Sequence, residues 1–307
     1  GTSRGWFLAW VALCCLSFAI SGHGAVVELR QGVDEHDLSR STEVLHDIAG
    51  TLDSDQATAH EGWAALNGRS PVFGFAEGAY WFRTRVQLAG HTEQRWVYLI
   101  PYSLLDHVDL FIRRADGSVE QRRSGDLLPF ATRDLKHRHF NFLIDLAPDE
   151  VVDLLLRVQT QSSVQVPQWL ITRDAFFART HESQVGIGLY YGVLLALLLF
   201  NLIIYLSLRQ PAYGWYVLYV LAFGTVQLNL NGLAFEYLWP DSPAWANLAM
   251  PLSMVCGMTT MALFARSFLN LPRQRPRLNR AFELFVLIQM AMTAGSLLLG
   301  YRRAIMI

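Results

Sequence analysis

The stretch VGIGLYYGVLLALLLFNLIIYLSL, residues 185–208, carries no charged side chain. A helix of this length, rising about 1.5 Å per residue, is longer than the roughly 30 Å hydrocarbon core of a bilayer. The whole chain has 307 residues, of which 52% are hydrophobic and 17% are charged. The chain is thus more apolar than most soluble proteins. This composition and the length of the stretch together predict a membrane-spanning helix.

Further apolar runs follow the first span, and the links between them are short. Residues 174–184 separate this apolar part from a more polar N-terminal part. We predict a linker at 175–184 and an all-α transmembrane helical bundle over 185–307. Its spans are predicted at 185–208, 213–235, 247–269 and 281–300.

The charges of the links predict the orientation of the spans. The link between the second and third spans holds Glu236 and Asp241 and no basic residue, whereas Arg209 follows the first span. Basic loops stay in the cytoplasm and contact anionic headgroups there, so the N-terminal part is predicted to lie outside. The link between spans three and four is therefore predicted to be cytoplasmic, since it holds Arg273, Arg275, Arg277 and Arg280. With a net charge of -1, the chain gives no argument for binding nucleic acid.

The N-terminal 25 residues have the layout of a secretory signal peptide. A basic residue precedes an apolar core that ends in small residues, although an uncleaved membrane anchor would satisfy the same pattern. Cys14 and Cys15 would leave with residues 1–25, and Cys256 lies in an apolar run. The exported part, residues 26–174, therefore has no thiol for a disulfide.

The exported part reads as short strands. In AYWFRTRVQL, residues 79–88, Tyr80 and Phe82 fall on one face and Trp81 on the other, the period of a half-buried strand. Asp116-Gly117 indicates a two-residue hairpin turn. With little helix beyond a turn within residues 41–52, the pattern predicts an antiparallel β-sandwich. Further strands are predicted at 95–102, 107–114, 138–146, 151–160 and 166–173.

Several of these segments resemble one known family. The exported part is similar to the type-2 extracellular domain of the 7TMR-DISM family, bacterial seven-transmembrane receptors with diverse intracellular signalling modules. GLYYGVLLALLLFNLIIYLSLRQPAYGWYVLYVL, residues 188–221, is similar to the first spans of that family. The segments of the exported part that carry the resemblance are EVLHDIAGTLD (43–53), GAYWFRTRVQL (78–88), IPYSLLDHVDLFIRRADG (100–117) and LLLRVQTQSSVQVPQWL (154–170).

The resemblance implies a fold and a function. It implies a jelly-roll-like β-sandwich periplasmic domain, similar to carbohydrate-binding modules, followed by a multi-pass helical bundle in the bacterial inner membrane. A periplasmic small molecule or glycan would be sensed, and the helices would relay the signal to a histidine kinase or diguanylate cyclase. Family members have seven spans and an output module, so we expect this chain to be truncated after about four spans. No enzyme activity or cofactor is expected of it, and a homodimer is a further implication.

A carbohydrate-like ligand needs an aromatic platform beside hydrogen-bonding groups. Trp81, Arg83 and Arg85 lie on the polar side of one predicted strand and are our candidates for ligand contact, together with Tyr102 and Trp63. The alternative is that these side chains pack against another element of the domain.

His137 and His139 share a strand face and could form part of a metal site with His107 and Asp109. Exposed strand faces also produce such pairs without function, and no further ligand is identifiable. A metal site is therefore kept as an alternative and is not predicted.

Within the second span, Gln227, Asn229 and Asn231 are predicted to make polar contacts between helices. They could instead line a conduction path near Pro251, as in a transporter. A membrane-anchored adhesive or binding protein is a further alternative. A Ser-His hydrolase or a haem protein is disfavoured, because no histidine follows His181.

Overall fold

A computed structural model describes residues 26–30, 32–90 and 94–299. The predicted signal peptide, residues 1–25, lies outside the described residues. A β-domain comes first, and helices follow from Arg173 onward.

The β-domain contains short strands and one short helix, α1 (Ser54–Ala59). Single 3-10 turns lie at Leu38–Arg40 and Phe130–Thr132. The strands are β1 (Val27–Arg30), β2 (Glu35–Asp37), β3 (Glu43–Asp47), β4 (Ala64–Ala65), β5 (Val72–Gly74), β6 (Ala79–Ala89), β7 (Gln94–Ile100), β8 (His107–Arg114), β9 (Val119–Ser124), β10 (Phe140–Leu146), β11 (Val151–Gln159), β12 (Val164–Gln165) and β13 (Trp169–Thr172).

The strands form two facing sheets. The larger sheet has the order β4-β3-β6-β11-β8-β9, and β1 pairs with β6 in parallel. The smaller sheet has the order β10-β7-β13-β2, and a separate pair joins β5 to β12. Every pairing other than β1 with β6 is antiparallel among the described strands. The predicted antiparallel β-sandwich is confirmed.

The main core lies between the two sheets. Tyr80 and Phe82 of β6 face inward as the alternation predicts, and they belong to the same buried cluster as Tyr98 of β7 and Phe142 of β10. Burial of such side chains contributes roughly 25 cal/mol per Å² of apolar surface. This cluster therefore supplies most of the apolar burial that holds the sheets together.

The outer faces of both sheets are also covered. Over the larger sheet, α1 and Trp63 bury Trp81 in a second cluster. The N-terminus of α1 has a capping box in which Asp53 and Gln56 each bond the other's backbone N–H. Over the smaller sheet, Phe176 packs in a third cluster formed around β7 and β13.

Two local predictions are wrong. Residues 43–47 form strand β3 and not a helical turn, because they pair in register with β6. In the hairpin between β8 and β9, Arg114 and Ser118 close a loop of three residues, 115–117, and not two. The Arg114 N–H donates to Ser118 O (3.0 Å) and the Gly117 N–H donates to Arg114 O (3.0 Å), with Gly117 at φ 85°.

The helical part runs from Arg173 to the end of the described residues. Of its helices, α2 and α5 pass a test for membrane spans based on length and composition. The helices are α2 (Arg173–Leu208), α3 (Pro211–Leu230), α4 (Leu233–Tyr237), α5 (Pro243–Phe268), α6 (Leu271–Gln274) and α7 (Pro276–Leu299).

Helix boundaries differ from three predicted boundaries. Residues 175–184, predicted as a linker, lie within α2, which Thr172 caps by accepting from the Ala175 N–H (3.3 Å). The second predicted span, 213–235, ends early because Gly232 has φ 72° and separates α3 from α4. The fourth predicted span begins earlier, at Pro276, a residue suited to the first turn of a helix.

Helices α3 and α5 pack through small residues. Ala249, Ser253 and Gly257 recur at four-residue spacing on α5 and are buried. A Cβ added at Gly257 would lie 3.7 Å from the Cβ of Ala222 on α3. Small residues at this spacing allow helix backbones to approach closely.

Candidate functional site

The predicted ligand platform around Trp81 is not exposed. Trp81 is 0% exposed, and its ring stacks on Phe111 with centroids 5.7 Å apart. Arg83 lies over the ring of Trp63 at 4.5 Å and donates from both Nε and Nη2 to Glu43 (2.9 and 2.6 Å). The prediction that Trp81 contacts ligand is therefore wrong, since α1 covers this face of the sheet.

The other two candidates differ from Trp81. Arg85 donates to both carboxylate oxygens of Asp153 on the neighbouring strand (2.5 and 2.9 Å), so its guanidinium is already engaged. Tyr102 is half-buried against the main core, and burial followed by the charge of Asp126 raises the pKa of its phenol. Neither residue lines the cavity described below.

The histidine pair does not gather further ligands. The rings of His137 and His139 lie 5.0 Å apart, but Asp109 faces Arg157 (3.7 Å) and Arg123 (3.8 Å). Among the described residues, no group of three or more His, Cys, Asp or Glu side chains is arranged to hold a metal ion. His107 instead lines the cavity at the end of the sandwich.

Two of the three polar residues of the second span, Asn229 and Asn231, donate side-chain hydrogen bonds. Asn231 donates to the hydroxyl of Tyr191 on α2 (3.2 Å) and to Gln227 O (2.9 Å). Asn229 is buried but donates to Thr225 O of its own helix (2.9 Å). Only Asn231 therefore makes a side-chain hydrogen bond between helices among the bonds described for these three residues.

The four arginines of the predicted cytoplasmic link are exposed and lie around the short helix α6 and the start of α7. Arg266 joins the neighbouring helices by donating to Asn279 (2.6 Å) and Glu283 (2.8 Å). The opposite end of α5 contacts the β-domain through Asn247. At about 1.5 Å per residue, α5 separates the two ends by more than 30 Å.

A cavity of about 410 Å³ opens at one end of the sandwich. It lies where the loops before β6 and β8 meet the ends of β9 and β11. Its rim combines an exposed aromatic ring, carboxylates and side-chain amides, and it contains no lysine or arginine. The lining residues are Phe75, Ala76, Glu77, Gly78, Asp106, His107, Leu127, Gln159, Thr160 and Gln161.

Two buried carboxylates lie beside this cavity. Asp106 accepts from the Gln161 N–H (2.9 Å), whereas Oδ1 of Asp126 is buried without a hydrogen-bond partner in the described part. Burial, followed by the negative charge of Asp106, raises the pKa of Asp126 to about 7. A Cβ added at Gly125 would overlap the carbonyl oxygen of Asp106, so glycine at this position allows the two segments to approach closely.

The segment Gly125–Arg133 connects the cavity to the helices. Leu127 lines the cavity, while the neighbouring Asp126 O accepts from Asn247 of α5 (3.2 Å). The Phe130 N–H donates to Pro240 O (3.0 Å), and its ring meets Phe235 of α4 edge-on at 5.6 Å.

Arg133 is buried at the centre of this contact. Its guanidinium lies over the rings of Phe130 and Phe140 at 4.6 Å, and over that of Phe235 at 5.6 Å. Burial lowers its pKa to about 10, so the group stays charged at neutral pH. The cation is thus shared between aromatic rings of the β-domain and of α4.

Gly232 places the junction of α3 and α4 against the β-domain. A Cβ at this position would lie 2.6 Å from Ser103 Oγ and 3.0 Å from Arg138 O. Burial raises the pKa of the nearby Glu236, which the charges of Arg133 and Arg138 oppose. The acid-bearing link therefore lies beside the β-domain.

Sequence reasoning missed the cavity and the Gly125–Arg133 segment. Its sequence, GDLLPFATR, carries no alternation and follows a strand, so nothing in its pattern marks it as a contact with the helices. The available signals were Gly125 and Gly232, each at a position where any side chain would collide with a neighbour.

A β-sandwich with a terminal cavity, joined by one continuous helix to apolar helices, defines a membrane protein with a folded domain beside the membrane. Residues 39–172 match the model of the 7TMR-DISM extracellular 2 domain, and residues 183–307 match the 7TM diverse intracellular signalling domain. The chain belongs to the 7TMR-DISM family. It is a membrane sensory receptor with an extracellular domain, as the sequence resemblance implied, and these matched domains are sensory and not catalytic.

Several solved structures match part of the chain at low identity. A β-glucuronidase from Ruminococcus gnavus is 8% identical, with a TM-score of 0.29, and the match covers 49% of this chain and 31% of that chain. A Bacillus thuringiensis Cry1Da tryptic core variant is 12% identical, with a TM-score of 0.25, and the match covers 48% and 24%. A study of carbohydrate-binding modules from the β-sandwich superfamily describes another, 11% identical with a TM-score of 0.19, covering 46% and 53%. No curated protein matches the chain.

Proposed function

We propose that this chain is the sensory part of a receptor in the bacterial inner membrane. A periplasmic small molecule or glycan binds the cavity at the end of the sandwich. The helices relay binding to a histidine kinase or diguanylate cyclase module. One observation carries the proposal: the segment Gly125–Arg133 both lines the cavity, through Leu127, and bonds to α5, through Asp126 O.

The cavity chemistry favours a ligand with an apolar face and several hydroxyl groups. Phe75 is 71% exposed at the rim, and an exposed aromatic ring beside polar groups is a common feature of small-molecule sites. Glu77 and Asp106 supply acceptors, and the amide of Gln161 can both donate and accept. This combination suits a neutral sugar better than an anionic ligand.

A ligand can shift the receptor only if it binds two states with different affinity. A ligand against Leu127 would act on a segment whose other contacts are to α4 and α5. Within this segment, Oδ1 of Asp126 is buried without a partner in the described part, and the guanidinium of Arg133 lies over the rings of Phe130 and Phe235. Movement of the segment would therefore change how the helices pack.

The positions of the links support the proposed orientation. Glu236 and the Trp239–Asp241 link lie on the β-domain side of the helices, and the arginines lie at the far end of α5. Basic residues remain on the cytoplasmic side, so this arrangement supports a periplasmic β-domain. The two crossings between the β-domain and the acid-bearing link would then be α2 and α3. The transporter alternative is weakened because Asn229 and Asn231 are engaged by Thr225 O, Gln227 O and Tyr191.

Ligand binding can be tested with the full chain in lipid nanodiscs and a panel of neutral monosaccharides and disaccharides. At least one sugar should raise the melting temperature. Phe75→Ala should weaken its binding about tenfold, as expected for an aromatic contact of somewhat over 1 kcal/mol. Phe177→Ala is the matched control, because Phe177 is also exposed but does not line this cavity. Equal loss in both variants, or no binding by any sugar, would contradict the proposal.

A further inference from the structure

A second cavity, of about 450 Å³, lies between the β-domain and the first turns of α2. We call it the α2 groove. Lys136 and His137 line it from the β-domain, and Phe177, Thr180, His181 and Gln184 line it from the helix. It shares no lining residue with the cavity at the end of the sandwich.

Every polar side chain that lines the α2 groove can donate a hydrogen bond. Lys136, His181 and Gln184 are exposed, and no carboxylate is among the lining residues. Lys136 makes no ion pair with any residue that the structure describes. The nearby Asp134 is already bonded to Arg122 (2.5 Å) and to the Leu143 N–H (2.7 Å). The groove therefore suits an anion.

His137 adds a donor of defined tautomer. Burial, with the charges of Arg138 and Arg133, lowers the pKa of His137 to about 4, so the ring is neutral at pH 7. Its Nδ1 accepts from the His139 N–H (3.2 Å). The ring proton must then reside on Nε2, which leaves that nitrogen able to donate.

The other side of the groove is apolar and lies next to the apolar stretch of α2. Phe177 is 49% exposed, and the apolar stretch of α2 begins at Val185, immediately after Gln184. At about 1.5 Å per residue, His181 lies about 6 Å before that boundary. The headgroup region of a bilayer extends about 5–8 Å beyond the hydrocarbon core on each side, so the donors lie at headgroup depth.

We propose that the α2 groove binds the phosphate headgroup of an anionic phospholipid from the leaflet on the β-domain side. The ammonium of Lys136 and the donors on α2 contact the phosphate, and the acyl chains lie along the exposed apolar surface of α2. This inference rests on the membrane placement of the family and not on the identity of the cavity ligand. It assigns to the first turns of α2 a lipid contact separate from that of the cytoplasmic arginines.

The test uses the full chain in nanodiscs that contain trace photoactivatable phosphatidylglycerol or photoactivatable phosphatidylcholine. Labelling is measured by mass spectrometry on the peptide that contains residues 177–184, so that lipid bound near the cytoplasmic arginines does not contribute. We expect phosphatidylglycerol to label this peptide more than phosphatidylcholine does. Lys136→Glu should lower the ratio of phosphatidylglycerol to phosphatidylcholine labelling at least about fivefold, the factor that one cation contributes near an anionic surface.

Arg69→Glu is the charge-matched control, because Arg69 is exposed on the β-domain outside the groove. It should leave the preference unchanged, and His181→Ala should reduce it. Equal labelling by both lipids, or a preference that survives Lys136→Glu, would overturn the proposal. Inorganic phosphate is added at constant ionic strength to separate the two sources of phosphate. Loss of labelling on its addition would identify a site for free anions and would also overturn the proposal.

Discussion

At the scale of single residues, Trp81 and Arg83 illustrate where alternation along a strand stops being informative. The pattern separates Tyr80 and Phe82 from Trp81 and Arg83 correctly, but it does not say which of two faces is covered. Trp63 and α1 cover the second face. Both lie outside strand β6, so the alternation along that strand does not reveal them. Trp81 and Arg83 therefore pack against other parts of the domain, whereas the cavity is assembled from loops that no periodic pattern marks.

Replacing Trp81 tests this reassignment. Trp81→Ala should lower the free energy of unfolding by about 3–5 kcal/mol, the usual cost of truncating a buried aromatic side chain. Trp81→Phe, which keeps most of the apolar contact, should cost less. Chemical denaturation followed by circular dichroism measures both. A loss of sugar binding by Trp81→Ala without loss of stability would restore Trp81 as a ligand contact.

Asp126 should make stability depend on pH. The unfolded carboxyl titrates near 3.8, and the folded one retains its proton until about pH 7. Between these values the folded state binds more protons, so the free energy of unfolding falls as pH rises. The stabilisation is complete below about pH 4 and is lost through pH 7. It amounts to about 4 kcal/mol, at about 1.4 kcal/mol per unit of pKa difference.

Asp126→Asn should flatten this dependence between pH 4 and 7, as measured by denaturant titration at a series of pH values. Asp116→Asn is the control, because Asp116 is exposed and its bonds to Ser118 lower its pKa. Its replacement should leave the slope over this range unchanged. An identical slope for wild type and Asp126→Asn would show that Asp126 does not titrate as described.

At the scale of elements, the apolar runs located the long helices, but their ends depended on contacts that the runs do not encode. Helix α2 begins at Arg173 because Thr172 caps it and Phe176 packs on the smaller sheet. The α3 helix ends where Gly232 turns the chain against Ser103 and Arg138. The small residues of α5 were visible in the sequence at four-residue spacing, and they are the signal from which its pairing with α3 could have been predicted.

Gly257 provides a test of that pairing. Gly257→Ala should be tolerated, because its Cβ would make an ordinary contact with Ala222 at 3.7 Å. Gly257→Leu should force α3 and α5 apart and cost about 1–3 kcal/mol, as overpacking of tight interfaces does. Thermal unfolding in nanodiscs compares the two variants. Equal stability of both would contradict the close approach of these helices.

At the scale of the whole molecule, the order of an exported sandwich followed by membrane helices was predictable because the two parts differ in composition and in hydrophobic period. The connection between them was not, since it rests on Arg133, Phe235 and Asn247, whose contacts form only after both parts have folded. The family match agrees with the predicted order.

The proposed orientation can be tested in cells. A reporter that is active only in the periplasm should be active when fused after Thr180 and inactive when fused after Arg275, because the arginines retain their link in the cytoplasm. Replacing the four arginines Arg273, Arg275, Arg277 and Arg280 with glutamine should reduce this difference. Activity at Arg275 and none at Thr180 would contradict the orientation.

The central claim is that ligand in the cavity acts on the helices through the segment Gly125–Arg133. Hydrogen exchange of the full chain in nanodiscs tests it most directly, using a sugar found to bind the cavity. We expect this sugar to change exchange in residues 75–78 and 159–161 and also in residues 231–247. Asn247→Ala should reduce the second change but not the first. A change at the cavity alone, with residues 231–247 unaffected, would show that ligand binding is not transmitted from the cavity to the helices through this segment.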